Sequence, residues 1–236
     1  MPDISRRTMA AGAGLLAGVL ALPARTQQVE QLATAAAAPK FRVQPLTYNP
    51  EKISGLSAKL ITNHHGEHYA GAVNQLNAVS EQLAKLDFGQ ASPAAVAELK
   101  RQEHSAYNGT VLHELYFECL GEAPTQPSGV FAQALARDFG SLDSWKAEFA
   151  VTAKALDGGS GWVILAYAPR DKRLFNHWAA DDSMAPAGCV PLAVIDLYKH
   201  AYELDFGSDV GKYVDTFVRI MRWITPERLY REAIRV

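Results

Sequence analysis

Three histidines and one aspartate give this 236-residue chain its chemistry: His64, His113, Asp196 and His200. His64 opens the run His64-His65-Gly66-Glu67-His68, and Asp196 stands four residues before His200 in Asp196-Leu197-Tyr198-Lys199-His200. Three imidazoles and one carboxylate can hold a single transition metal and leave a coordination position open. An open position means reaction chemistry rather than a structural clip. Spacing alone leaves a plainer explanation standing. Seven histidines can pair at i, i+4 by chance, and a core histidine is usually just hydrogen-bonded.

The elements that must position these residues are partly legible. His64 and His68 fall in a helical pattern from about Ser54 to Leu86, with Leu56, Leu60 and Leu76 along the same face. Asp87-Phe88-Gly89-Gln90 breaks it, and Ser92-Pro93 supplies an N-cap and a first-turn proline for a second helix running toward His104. Asn108-Gly109 reads as an interruption, after which Thr110 to Leu120 resumes the helix and carries His113. Two long helices with a short connection make an antiparallel hairpin.

Beyond a linker at Pro124–Ser128, shorter helices at about 129–138 and 144–156 carry Phe131, Leu135, Phe139, Trp145 and Phe149 as apolar anchors. Gly161–Ala168, Arg173–Trp178 and Cys189–Ile195 then read as strands, the first two joined by the turn residues Pro169-Arg170-Asp171-Lys172. The third leads into Asp196, and helices near 198–204, 210–223 and 226–235 close the chain. The expected class is α+β. An N-terminal antiparallel α-helical hairpin (39–124) precedes an α/β domain with a three-stranded antiparallel sheet (125–236).

Residues 1–38 read as a signal rather than as part of the fold. Ser5-Arg6-Arg7-Thr8-Met9 precedes an uncharged stretch from Ala10 to Ala24, and the paired arginines point to the twin-arginine route. That stretch of about 15 residues is short of the roughly 20 that span a bilayer. Ala35–Ala38 before Pro39 offers a cleavage site, with Ala24 an earlier alternative. The expected location is periplasmic or secreted. Residues 39–236 carry 20 basic and 23 acidic side chains, which gives no reason to expect nucleic acid or stable membrane contact after export. Cys119 and Cys189 are too few for a disulfide framework; they could pair once, or stay buried as thiols.

The local sequences resemble iron/manganese superoxide dismutases at four places, in order, from about Pro45 to the C-terminus. Leu60 through His68, followed by Val73-Asn74-Gln75-Leu76-Asn77, resembles the first ligand helix. Asn108 through His113-Glu114-Leu115-Tyr116-Phe117 resembles the second. Gly159-Ser160-Gly161-Trp162 matches a strand motif, and Val190 through Asp196 to His200-Ala201-Tyr202 matches the closing signature. The resemblance implies that His64, His113, Asp196 and His200 bind one Fe or Mn and that superoxide is dismuted there. It further implies His68 and Tyr202 as an outer relay, Trp162 as an apolar wall, and His177, in Phe175-Asn176-His177-Trp178, as the hydrogen-bond partner of metal-bound solvent, with Asp181 the weaker candidate.

The chain also departs from that pattern. The family has a tyrosine eight residues after the first ligand, where this chain has Ala72, with Tyr69 nearly one turn away as a partial substitute. A glutamine used by one subset falls at Gly109. Tyr198 and Lys199 replace a tryptophan and a glutamate beside the last ligand. That glutamate bridges to a partner's metal histidine, so Lys199, which has no acceptor, implies an altered or absent homodimer. A basic stretch gives way to Asp205 through Lys212. The alternative these changes raise is a metal-binding relative with little dismutase activity.

Overall fold

The computed structural model describes residues 38–156 and 159–235. The candidate signal at 1–38 therefore lies outside the described residues, except for Ala38. An extended lead-in reaches α1 (Ala58–Asn63), a π-helical turn (His64–Tyr69) and α2 (Ala70–Lys85), which run on as one helix. Ser57 starts it, its Oγ accepting the Leu60 N–H at 3.0 Å. α3 (Pro93–Glu118) returns alongside, capped by Ser92 Oγ on the Ala95 N–H at 3.2 Å. Such caps each contribute about 1 kcal/mol. Leu76, Val79 and Leu83 of α2 pack with Ala106 of α3 and close the distal part of the hairpin.

Two expectations about these helices need correction. Helix α3 runs unbroken through Asn108 and Gly109. Gly109 is buried against Ala72 and Asp182, and Asn108 Nδ2 donates to the Asp182 carbonyl at 2.6 Å, so tertiary packing overrides weak local propensity. The π turn inserts an extra residue into the helical phase. His64, Tyr69, Val73 and Leu76 are therefore the buried residues, while His68 is turned outward.

Helices α4 (Gly129–Phe139) and α5 (Leu142–Lys154) follow, then β1 (Trp162–Ala168), β2 (Arg173–Ala179) and β3 (Val190–Asp196). The sheet is antiparallel and three-stranded, as expected, and its order is β2-β1-β3. β1 is buried along its whole length, being the central strand with helices packed on it. Its register pairs Trp162 with Asp196 on one side and Ala179 on the other. Gly161 makes that junction possible. Its φ of +106° is a glycine conformation, and a Cβ there would run into the Ala179 carbonyl oxygen.

A 3₁₀ turn (Lys199–Ala201), a short α6 (Glu203–Phe206), α7 (Val210–Ile220) and α8 (Ile224–Ala233) complete the chain. The core is continuous from the lead-in through α1, α3, the sheet and α7. The acids replacing a basic stretch hold helix ends. Asp205 Oδ2 and Oδ1 accept from the Ser57 backbone N–H and hydroxyl at 2.6 and 2.7 Å, and Asp209 caps α7 at Lys212 N. Both cysteines are free thiols, Cys119 buried and Cys189 partly exposed.

Candidate metal centre

Four separate segments deliver the four candidate ligands: the π turn (His64), α3 (His113), the end of β3 (Asp196) and the following 3₁₀ turn (His200). One potential ligand atom from each lies within 4.8 Å of the others. Asp196 Oδ2 is 3.0 Å from His64 Nε2, 3.1 Å from His200 Nε2 and 3.6 Å from His113 Nε2. His64, His113 and Asp196 are buried, and His200 is partly so.

The surroundings fix these groups. The His113 Nδ1–H donates to the Gly109 carbonyl at 2.6 Å, which leaves Nε2 as the lone-pair nitrogen. Burial pushes the His113 pKa down to about 4 and lowers that of His64, so both imidazoles are neutral near pH 7. Burial works against an ionised Asp196, but the His200 and His64 nitrogens beside it outweigh that and hold the carboxyl well below the usual range. Asp196 Oδ1 accepts the Tyr198 N–H at 2.8 Å, and Tyr213 donates its hydroxyl to the Asp196 carbonyl at 2.8 Å.

The residues fit a metal ion. His64 Nε2 and His113 Nε2 are buried with no hydrogen-bond partner, even though His64 Nε2 lies 3.0 Å from a carboxylate oxygen. Orphaned buried nitrogens are costly, and a cation is what three imidazole lone pairs and a carboxylate would share. Their spread is on the scale of two metal–ligand bonds of about 2.0–2.2 Å each.

Around the four, Trp162 is fully buried with its ring edge-on to His113 at 5.1 Å. His68 is exposed, its ring stacked on His200, and burial of its inner face lowers its pKa. Tyr202 is buried and stacks on Tyr213 at 5.4 Å. A cavity of about 360 Å³ reaches His113 and His200, with Ala72, Gly109, Asp182 and Tyr198 on its walls.

Three assignments change with the structure. His177 is not brought to the cluster: its Nε2–H donates to the Met184 carbonyl at 2.7 Å, and it sits on edge strand β2 opposite Ile164. Asp181 is exposed and accepts from the Ser183 N–H at 2.7 Å. The side chain that does reach the cavity is Asp182, whose Oδ1 accepts the Trp162 Nε1–H at 2.8 Å. Sequence reasoning missed it because no local pattern separates two adjacent aspartates after a strand. Tyr69 does not stand in for the missing tyrosine. Its hydroxyl donates to Glu114 Oε1 and accepts the Gln44 N–H, each at 2.9 Å, and it lines a different cavity of about 240 Å³. His65 and His104 also bond elsewhere, to the Gln44 and Ser183 carbonyls.

Residues 40–121 match the alpha-hairpin domain of iron/manganese superoxide dismutases, and residues 127–228 match their C-terminal domain. An iron superoxide dismutase of Cupriavidus metallidurans is 43% identical over 195 residues, covering 83% of this chain and 98% of the relative. Manganese superoxide dismutase 1 of Halobacterium salinarum is 32% identical over 198 residues, covering 82% and 96%. An iron superoxide dismutase of Aquifex aeolicus is 32% identical over 202 residues, covering 82% and 93%. The chain belongs to the iron/manganese superoxide dismutase family.

Proposed function

We propose that this protein dismutes superoxide, converting two superoxide anions and two protons into dioxygen and hydrogen peroxide, at a single Fe or Mn ion held by His64, His113, Asp196 and His200. The observation that carries this reading is the convergence of three Nε2 atoms on Asp196 Oδ2 inside a chain of this family. When bound, the ion supplies the one-electron couple that takes an electron from one superoxide and returns it to the next.

The protein's residues do the rest. His113 is oriented by its Gly109 hydrogen bond, so its free nitrogen points to the cluster without a tautomer choice. Asp196 contributes a buried negative charge, steadied at its other oxygen and at its carbonyl. Trp162 fills the space beside His113 and keeps bulk water from that side. His68, exposed and stacked on His200, is placed to pass protons between solvent and the cavity, and Tyr202 stacks on Tyr213, whose hydroxyl holds the Asp196 carbonyl. The chain's relatives include both iron- and manganese-named enzymes, and these donor atoms accept either ion.

The test is metal content and turnover together. Full-length protein loaded with Fe or with Mn is expected to hold one ion per chain and to dismute superoxide, while Asp196→Asn holds little of either. Full metal with negligible turnover would favour the metal-binding alternative.

We also infer export. The arginine pair and apolar stretch support a twin-arginine signal and a periplasmic or secreted location, and the family match begins only at residue 40. Replacing Arg6 and Arg7 by Lys is expected to trap the protein in the cytoplasm; unchanged export would reject the route. Lys199 supports an altered dimer, since its stem lies over Gly159 and it offers no acceptor to a partner histidine.

A further inference from the structure

The cavity beside the candidate centre carries an acidic side chain that the reading above leaves without a role. Asp182 is held at both ends. Its Oδ1 accepts the Trp162 Nε1–H at 2.8 Å, and its carbonyl accepts from Asn108 Nδ2 at 2.6 Å. Its carboxyl stands beside Gly109, which has no side chain. A Cβ on Gly109 would sit 3.7 Å from Asp182 Cγ, 3.8 Å from Oδ2 and 3.7 Å from the Ala72 Cβ. The same cavity reaches His113 and His200.

We propose that Asp182 sets the anion affinity and redox poise of this centre, by fixing a carboxylate on the wall of the cavity through which small anions approach. The proposal rests on the centre being a redox metal site. A carboxylate accepts hydrogen bonds but donates none, and its charge opposes an incoming anion while favouring the more positive, oxidised metal. A unit charge on the wall of a partly buried site changes such equilibria on the order of tenfold. Trp162 then acts as a positioning residue, because its N–H aims the carboxyl.

The test uses the full chain loaded with iron, and compares wild type, Asp182→Asn and Asp181→Asn. Asn at 182 keeps the shape and leaves an oxygen for Trp162, while removing the charge. Azide binding, followed by visible absorption, and the midpoint potential are measured at one pH and one ionic strength. D182N is expected to bind azide at least about tenfold more tightly. It is also expected to raise the potential by at least about 59 mV, a tenfold shift in a one-electron couple. D181N removes the same charge from the exposed neighbour and is expected to change neither by more than about twofold. Should D182N fail to retain iron, Asp182→Ser carries the same expectations.

A D182N protein that holds iron but matches wild type in both measurements overturns the proposal, as does an equal response in D181N. A wild-type chain that takes up no iron overturns the reading of the centre itself, and this inference with it.

Discussion

His68 lies flat against His200, with ring centroids 3.8 Å apart and planes within 14° of parallel. The π turn creates this contact. By advancing the helix one residue it buries Tyr69 where regular phase would bury His68, and leaves His68 to cover the solvent side of a candidate ligand. His68→Ala is expected to keep the metal but lower turnover by about 10- to 100-fold, the range for partners that orient a ligand. Metal content and rate measured on the same sample decide it; unchanged turnover would remove His68 from the mechanism.

Acid should destabilise the metal-free protein in a defined window. An unfolded imidazole titrates near 6.5, and burial holds that of His113 at about 4. Between those values the unfolded state binds more protons, so stability falls as pH drops from 6.5 toward 4. This group alone removes about 3 kcal/mol, and its effect levels off below 4. His64 shifts in the same direction. Denaturant unfolding at several pH values reads this directly, and a flat profile across the window contradicts it.

Gly161→Ala should be among the most damaging single changes. The new methyl group would meet the Ala179 carbonyl oxygen at a positive φ, at the strand junction that aligns Trp162 with Asp196. A loss of about 3 kcal/mol or more is expected, together with lowered metal content. Gly109→Ala should differ sharply. There a Cβ makes ordinary contacts at 3.7 Å inside a helix, so thermal unfolding should show no loss, and a gain of up to about 1 kcal/mol.

Lys199 predicts weak association. Sedimentation at micromolar concentration should show monomer or a dimer not bridged at this position, and Lys199→Glu should strengthen pairing by restoring an acceptor. A stable dimer that is indifferent to K199E contradicts this.

Much of the architecture was readable because its signals are local. Ser92-Pro93 announces a helix start, and the β-rich run of β1 followed by the turn residues Pro169 to Lys172 announces a hairpin. The candidate ligands were readable through their motifs, Asp196 and His200 at the exit of a strand above all. What stayed hidden depends on packing across the chain. Gly109 looks like a helix break until Ala72 and Asp182 are seen against it. His68 looks like a partner on the buried face until the π turn shifts the phase. His177 and Asp182 are five residues apart, and only the register of β2 and the loop after it decides which one meets Trp162.

The central claim is tested most directly by superoxide dismutation per bound ion, in full-length protein reconstituted separately with Fe and Mn. The account predicts one ion per chain and rapid turnover with at least one metal, both lost in Asp196→Asn. A chain that binds neither ion, or that holds a full complement of both and leaves superoxide untouched, would contradict it.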